Sequence, residues 1–300
     1  MSEAAWRPGF MDKPIPETVY HYTGSAGLMG ILRTNAIWAT DITYLNDARE
    51  FAYGRDAVLQ HFIQASGLGW DTNKGPQFAS LGRGLVGAAA EATLHVMQTE
   101  TRSFVACFCE EPDVLSQWRG YGAASGFALG FDAAAMRRNL ESATNFPLVP
   151  VLYDADAQQQ RLARLQEFSV EITQQQLEEM PESAFHELLS KLGDDMRGLL
   201  MSICIQFKSQ AFEAEREWRI GGVLLGSLWD NVEFRDGGLG PTPYVNLELG
   251  EERLPLKEVV IGPGVEPELR RGAVAGMLAK HGYAPNEVNV RLSEVPFRPT

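Results

Sequence analysis

The sequence predicts an α+β fold with one central mixed or antiparallel sheet. Short apolar strands occur towards both ends of the 300-residue chain, and between them residues 155–213 are rich in Gln, Leu and Glu and poor in strand formers. A sheet that draws strands from both halves of the chain leaves such a helical insert packed on one side. We therefore expect residues 18–300 to form a single domain with an insert at 155–213.

The first half of the chain alternates between strand and helix patterns. Residues 1–17 are rich in proline and indicate a flexible arm that precedes the domain. Apolar alternation and helical periodicity recur from there onwards. The predicted elements are a strand at 18–22, a helix at 25–34, a strand at 36–40, helices at 47–65 and 85–100, a buried strand at 103–109, a short helix at 112–119 and a strand at 126–132.

The second half begins with the insert and returns to strands. Pro181 divides the insert into two helices, because proline removes a backbone donor and clashes with the preceding turn. An apolar stripe from Leu188 to Phe207 favours a core role and leaves open a protein partner on the insert. The later predicted elements are strands at 217–225, 244–249 and 257–263, a helix at 266–281 and a last strand at 287–293.

Composition limits the classes of function. A net charge of −13 disfavours broad electrostatic binding of nucleic acid, which needs a basic surface. The sequence has neither a long apolar run nor a secretory signal, so we expect no membrane span and a cytoplasmic location. Its three cysteines form no disulfide framework and no zinc site, and its five histidines lack metal-ligand spacing. We therefore expect no metal.

Polar side chains gather at the end of the first predicted strand. His21, Tyr22 and Thr23 precede Gly24 and then Ser25, a good N-cap for the next helix. Alternation places His21 and Tyr22 on opposite faces of the strand. A glycine here lets a ligand approach the backbone, and a helix N-terminus attracts phosphate. The alternative interpretation is a hydrogen-bonded histidine with a structural role.

Two further clusters admit both a structural and a ligand-binding interpretation. Asp47, which follows Asn46, is placed to cap the next helix, with Glu50 in the capping-box position. Trp118 and Tyr121 are three residues apart beside a glycine-rich turn, so their rings suit the face of a flat heterocycle. In the alternative, Trp118 fills the core and only Tyr121 reaches the surface.

An acidic segment, FEAEREWRI at residues 212–220, precedes a late strand. A strand that begins near Glu215 puts this residue, Glu217 and Arg219 on one face, with Trp218 buried behind them. Two neighbouring carboxylates repel each other, which raises a pKa and favours an ion pair with Arg219. The same pattern also fits a solvated edge strand that carries an ordinary ion pair.

In their order along the chain, these motifs resemble a bacterial domain-of-unknown-function family, number 2971. The resemblance extends from about residue 18 to residue 298. Its motifs are His21-Tyr22-Thr23, Asn46-Asp47 with Glu50, Trp118-x-x-Tyr121-Gly122 with Gly126, Glu215-x-Glu217-Trp218-Arg219, Ile261-Gly262-Pro263, and Pro-Phe-Arg at 296–298. The front of this pattern is also similar to the ADP-ribosyltransferase superfamily, including its DNA-modifying toxins.

The resemblance to ADP-ribosyltransferases implies a fold, a substrate and roles for individual residues. The sheet would be of the ADP-ribosyltransferase type, and the substrate would be NAD. His21 would hydrogen-bond a ribose of NAD, while Thr23 and Gly24 would border the nicotinamide amide. Glu217 would be the catalytic carboxylate that stabilises the oxocarbenium-like transition state.

Two assignments stay open within that resemblance. Either Tyr121 or Tyr44 would stack on the nicotinamide ring, and either Glu215 or Glu217 would face the cleft, because a one-residue shift exchanges the faces of a strand. The other residues implied in the NAD site are Tyr22, Asn46, Asp47, Trp118 and Arg219.

Three functions remain open from the sequence. The first is an NAD-consuming transferase with an unidentified acceptor, in a bacterial toxin or a phage-defence effector. The second is a non-catalytic ligand-sensing or protein-interaction module on the same scaffold. The third, a hydrolase of nucleotide phosphodiesters, has less support because the sequence has no metal-binding cluster. If the first is right, we expect His21, Tyr121 and one glutamate to border one cleft.

Overall fold

A computed structural model provides the structure of the chain. It describes residues 13–45, 48–65, 101–122, 126–143, 146–179, 200, 203–225, 231–250 and 253–296. Within these ranges, ten strands form one sheet that is accompanied by five α-helices of ten or more residues. The predicted α+β class is therefore confirmed.

The strands come from both ends of the chain. Their bounds are β1 Thr18–Thr23, β2 Ala36–Asp41, β3 Thr101–Cys109, β4 Phe127–Asp132, β5 Leu148–Pro150, β6 Glu217–Leu225, β7 Glu233–Arg235, β8 Thr242–Glu248, β9 Leu256–Ile261 and β10 Asn289–Leu292. They pair in the order β10-β9-β4-β1-β3-β2-β8-β7, and β6 pairs with both β3 and β5. The pairs are antiparallel except for β9 with β10, so the sheet is mixed, as predicted.

The helices connect or flank these strands. Their bounds are α1 Ser25–Thr34, α2 Ala48–Ala65, α3 Ala133–Ala143, α4 Ala155–Glu179 and α5 Pro267–Lys280. Three short turns complete the described elements: a 3₁₀ turn at Ile42–Tyr44, a helical turn at Leu115–Gln117 that continues as a π turn at Trp118–Gly122, and a 3₁₀ turn at Gln210–Glu215.

One face of the sheet carries the main apolar core. Alternation along β1 and β3 points Val19, Phe104 and Phe108 into this core, and β6 adds Trp218 and Ile220. Burying each of these side chains contributes about 1.5–3 kcal/mol. Helices α1, α3 and α5 cover the same face with buried residues that include Leu28, Ile31, Met136, Leu140, Val274 and Leu278.

The opposite face carries a second, smaller apolar cluster. Its members are Tyr22, Cys109, Trp118, Ala128 and Val260. Because neighbouring residues of a strand point to opposite faces, β1 contributes Val19 to the main core and Tyr22 to this cluster. The alternation that the sequence predicts for β1 and β3 is confirmed.

Local sequence sets both ends of α1. The cap residue is Gly24, whose extended backbone precedes the helix without a side-chain cap bond, so the prediction of Ser25 as the cap is wrong. At the other end Asn35 adopts a left-handed conformation with φ 53°. Asparagine tolerates this conformation, and its Oδ1 also accepts a hydrogen bond from the Leu254 amide at 2.9 Å.

The sheet has a gap between β1 and β2 along one edge of β3. β1 pairs with β3 only through Tyr20 and Cys109, whereas β2 pairs with it only at Val105 and Phe104. In the described part of the chain, residues 106–108 of β3 therefore pair with β6 on one side and with no strand on the other. The gap lies where β1 ends and α1 begins.

Most predicted elements are present, with ends displaced by a few residues. Helix α3, strand β5 and the edge strand β7, each of which is short or polar, were not predicted from the sequence. The helix predicted at 85–100, Pro181 and most of the predicted stripe lie outside the described residues. Within the stripe, Leu200, Ile203 and Phe207 are buried.

The described end of the predicted N-terminal arm contacts the domain. Lys13 forms an ion pair with Glu110, and Glu17 Oε1 lies 2.6 Å from Lys257 Nζ. The insert predicted at 155–213 begins with α4. Among the described helices, none is both long and apolar enough to cross a membrane.

Candidate functional site

Strand β6 presents two charged residues on the face of the sheet opposite to the main core. Glu217 pairs with Cys109 of β3, and Arg219 pairs with Cys107. Trp218 lies between them in sequence and points into the main core, as predicted. A buried glutamate and a buried arginine thus stand side by side on this face.

Two cations hold the carboxylate of Glu217. Arg219 donates from Nε to Oε1 at 2.9 Å and from Nη2 to Oε2 at 2.7 Å. Lys208 Nζ donates to Oε2 at 3.2 Å. None of the three side chains is more than 8% exposed, so solvent screens these contacts weakly. Arg219 also donates from Nη1 to the Ile205 carbonyl at 3.0 Å.

This arrangement keeps Glu217 ionised. Burial by itself raises the pKa of a carboxyl group, but the charges and hydrogen bonds of Arg219, together with the charge of Lys208, lower the pKa of Glu217 to about 2. The predicted ion pair with Arg219 is therefore confirmed. The predicted rise in pKa is wrong for Glu217, because the two cations outweigh the effect of burial.

Glu215 reaches the same network from outside the strand. It ends the 3₁₀ turn that precedes β6, and its Oε2 accepts a hydrogen bond from Lys208 Nζ at 2.8 Å. Arg216 then adopts a left-handed conformation with φ 43° and leads into the strand. The strand thus begins at Glu217 and not near Glu215, and Lys208 rather than a shared strand face brings the two carboxylates together.

Trp118 and Tyr121 have different environments. Trp118 is 1% exposed: its Nε1 donates to Asp113 Oδ1 at 2.6 Å, and its ring meets the Tyr22 ring edge-on. It fills the smaller cluster, so its predicted contact with a ligand is wrong. Tyr121 is 49% exposed. Burial of its hydroxyl and the nearby charges, including that of Glu217, raise the pKa of Tyr121.

His21 lies at the gap between β1 and β2. Alternation places it on the Val19 side of the sheet, and its ring contacts Phe108 at a centroid distance of 5.6 Å. Its Nδ1, however, lies 2.9 Å from the Cys107 carbonyl oxygen. A carbonyl only accepts hydrogen bonds, so Nδ1 carries the proton. The imidazole therefore closes the edge of β3 that lacks a strand partner.

Cys107 is the residue around which several of these side chains meet. Its carbonyl accepts from His21, and it pairs across the sheet with Arg219. Burial and the charge of Glu217 raise the pKa of its thiol. Cys107 in turn is close enough to Tyr121 to influence its hydroxyl. The structure thus places His21, Glu217 and Tyr121 around one residue, although His21 and Glu217 extend from opposite faces of the sheet.

The other residues of the first motif have mainly local contacts. Tyr22 is buried, donates to the Glu111 carbonyl at 2.8 Å and accepts from the Val114 amide at 3.1 Å, so it anchors a loop. The Thr23 side chain lies against the first turn of α1 at Gly27. Gly24 has open space where a Cβ would stand, so the backbone is accessible there.

Tyr44 lies far from the two glutamates along the sheet, and the neighbouring Asn46-Asp47 motif is not among the described residues. Tyr44 follows β2, whose last residues pair with the start of β3, whereas Glu217 pairs with the end of β3. The five residue steps from Phe104 to Cys109 span about 17 Å at the usual rise of a strand. Tyr44 is thus the weaker candidate for a ring beside Glu217. Asn46 and Asp47 lie outside the described residues.

Two members of the network were not predicted from the sequence. Lys208 is 5% exposed and bridges both glutamates, and the Tyr153 hydroxyl accepts a hydrogen bond from the Glu217 amide at 2.9 Å. An isolated lysine between an apolar run and an acidic turn is a signal that could have identified Lys208. Tyr153 has no comparable signal, because its contact depends on the pairing of β5 with β6.

A family model matches the segment that contains most of this network. The family is described as protein of unknown function, DUF2971, and the match covers residues 117–220, about a third of the chain. The match supports the assignment to this family. The matched segment includes Trp118, Tyr121, Glu215, Glu217 and Arg219. No curated protein and no solved structure matches the chain.

Proposed function

We propose that this protein binds NAD at the gap beside β3 and cleaves its nicotinamide–ribose bond, with Glu217 as the catalytic carboxylate. The observation that carries the proposal is an ionised Glu217 beside a half-exposed aromatic ring, that of Tyr121. The order of motifs that resembles ADP-ribosyltransferases adds support from the sequence. An enzyme that consumes NAD also suits a toxin or a phage-defence effector, because loss of NAD stops the metabolism of a cell.

The chemistry requires a negative charge that is fixed before the reaction begins. When the bond from ribose C1′ to nicotinamide breaks, its electron pair leaves with the ring nitrogen and the ribose becomes an oxocarbenium-like cation. A nucleophile, water or another acceptor, then bonds to C1′. Glu217 stabilises the cation through the ribose 2′-hydroxyl, and its low pKa means that no proton must first be removed.

Glu217 makes this contact by exchanging one weak hydrogen-bond partner. A carboxylate offers about four lone-pair sites. Arg219 occupies one site on Oε1 and one on Oε2, and Lys208 occupies the second on Oε2. The Cys107 thiol also hydrogen-bonds this carboxylate, so the ribose hydroxyl would take the place of that weak donor. Arg219 and Lys208 are then positioning residues that fix the orientation of the carboxylate.

Tyr121 and His21 approach the nicotinamide ribose from opposite faces of the sheet, and His21 does so through the gap. The exposed ring of Tyr121 stacks on the nicotinamide, as offset aromatic pairs do. His21 carries its proton on Nδ1, and burial lowers its pKa, so the neutral ring presents Nε2 as an acceptor for a ribose hydroxyl.

The proposal is tested by measuring nicotinamide release from NAD. The proteins compared are wild type, Glu217→Gln and Glu215→Gln. We expect Glu217→Gln to lower the rate on the order of 10²–10³-fold, which is typical when a preorganised electrostatic contact is lost. Water suffices as the acceptor, because nicotinamide is released whichever nucleophile attacks the ribose.

Glu215→Gln is the matched control. Its carboxylate also contacts Lys208 but is 25% exposed, and the proposal gives it no contact with the ribose. Melting temperatures of all three proteins separate a loss of activity from a loss of folding. Equal rates for wild type and Glu217→Gln would remove Glu217 from the chemistry.

One observation favours a second candidate function, a ligand-binding module without catalysis. Three hydrogen bonds already engage Glu217, which is 7% exposed. These contacts also fit a purely structural clamp that holds residues 203–215 on the sheet. A wild-type protein that binds NAD in calorimetry and releases no nicotinamide would favour this module over the enzyme.

A further inference from the structure

Arg235 of the edge strand β7 lies on the same face of the sheet as Glu217. It pairs with Thr242, and its Nη2 donates to Thr40 Oγ1 on β2 at 2.9 Å. The guanidinium also lies 5.9 Å from the centroid of the Trp38 ring. These contacts draw the side chain across β8 towards β2, the strand that borders the gap.

Arg235 is a cation without an anionic partner in the described residues. None of the ion pairs between described residues includes Arg235. Its Nε is buried and has no hydrogen-bond acceptor, and the same holds for Nε1 of the adjacent Trp38. Unpaired buried donors are costly, so a guanidinium held in this way suits an acceptor that arrives with a ligand.

Nearby His21 does not supply that acceptor in the free protein. Burial and, to a lesser degree, the positive charge of Arg235 lower the pKa of His21. With its proton on Nδ1, His21 is neutral and adds no second positive charge. The gap thus offers a cation from one side and a neutral ring from the other.

The three groups follow the direction of β3. Thr40, the partner of Arg235, pairs with Val105, and Glu217 pairs with Cys109 at the other end. His21 bonds to Cys107, between them. Each step of two residues covers about 7 Å. Arg235 and Glu217 therefore lie on one face of the sheet, about 14 Å apart along this strand. This separation suits an extended dinucleotide, while His21 borders the gap from the opposite face.

We propose that Arg235 binds the diphosphate of a nucleotide ligand through the donors that the protein itself leaves unpaired. This inference rests on the proposed function for the identity of the ligand. The planar guanidinium donates two parallel hydrogen bonds to phosphate oxygens, and Trp38 supports its other face. The substrate specificity that follows is for a nucleoside diphosphate moiety rather than for a free nucleoside.

The experiment measures ADP-ribose and adenosine binding by calorimetry. ADP-ribose carries the diphosphate and cannot release nicotinamide, so binding is observed without cleavage. The proteins are wild type, Arg235→Gln, Arg235→Lys and the control Arg271→Gln. Arg271 is half exposed on α5 and forms an ion pair with Glu268.

We expect Arg235→Gln to weaken ADP-ribose binding at least about tenfold, because a charge-assisted contact is lost. Arg235→Lys should retain part of the affinity, and Arg271→Gln and adenosine binding should be unchanged. Equal affinity of wild type and Arg235→Gln for ADP-ribose, or no binding by folded wild type, would overturn the inference.

The outcomes also separate this inference from the proposed function. ADP-ribose binding that depends on Arg235, without any nicotinamide release from NAD, would support the diphosphate site and reject the enzyme. Nicotinamide release that depends on Glu217, with unchanged affinity in Arg235→Gln, would support the enzyme and reject the diphosphate site.

Discussion

The two ends of β3 differ in how their charges are balanced. At the end near Cys109, Glu217 is surrounded by Arg219 and Lys208, and each charge has a partner. At the end near Val105, Arg235 lies over Trp38, donates to the Thr40 hydroxyl and forms no ion pair with a carboxylate of the described residues. The charges near Cys109 are therefore paired, whereas the positive charge near Val105 has no ion-pair partner among the described residues.

This difference separates structural charges from charges that await a ligand. Removing one partner from a buried, balanced network leaves the other charges uncompensated, which is strongly destabilising. Removing a cation that has no partner leaves nothing uncompensated. Stability should therefore be sensitive to substitutions at the Cys109 end of β3. Ligand binding should be sensitive to substitutions at the Val105 end.

The largest effect is expected from Glu217→Ala. This change leaves Arg219 and Lys208 buried without their anion and should lower the free energy of unfolding by about 3–5 kcal/mol. Arg235→Met should change it by no more than about 1 kcal/mol, since only a surface-type cation–π contact and one hydrogen bond are lost. Urea titrations at neutral pH measure both. Similar losses for the two variants would show that the ends are not different.

The network of Glu217 with Arg219 and Lys208 should also make the free energy of unfolding depend on pH. The pKa of Glu217 is about 2 in the folded protein and near 4.5 in the unfolded chain, so its ionisation favours folding above pH 4.5. That contribution is lost as the pH falls from 4.5 towards 2. The difference in unfolding free energy between wild type and Glu217→Gln should therefore shrink over this range in urea titrations.

Tyr121→Phe is the control for the pH experiment, because it retains Glu217 and both of its cations. Its stability should fall with pH in parallel with that of wild type. A constant difference between wild type and Glu217→Gln from pH 5 to pH 2 would contradict an ionised, buried carboxylate.

The smallest effect on stability is expected from Tyr121→Ala. Tyr121 is 49% exposed, so its removal should cost about 1 kcal/mol or less in urea unfolding, while NAD affinity in calorimetry should fall up to about tenfold. Trp118→Ala, at a position that is 1% exposed, should cost about 3–5 kcal/mol. Unchanged NAD affinity in Tyr121→Ala would place the ligand away from this end.

Alternation made much of the fold predictable from the sequence. The faces of β1 and β3 follow from a period of two, and for that reason Val19 and Tyr22 were assigned correctly to opposite faces. The same reasoning anticipated the ion pair of Glu217 with Arg219, whose side chains are two residues apart on one strand. Local patterns sufficed for these features.

Features that depend on long-range pairing were not predictable. Lys208 meets Glu217 because residues 203–208 fold back onto β6, and no local periodicity encodes that approach. The bounds of β6 were predicted correctly, but Glu215 does not share its face, because the left-handed Arg216 separates the preceding turn from the strand. Trp118 and Tyr121 both lie in the π turn, and packing of Trp118 against Tyr22 decides which of them is buried.

The imidazole at the edge of β3 has a mechanical consequence. Between β1 and β2, a single side-chain bond from His21 to the Cys107 carbonyl takes the place of a ladder of main-chain bonds. The sheet consequently has a seam, and small relative displacements of the strands on either side meet little resistance there. A ligand bound along this gap would contact both β1 and β2 and would make the sheet more rigid.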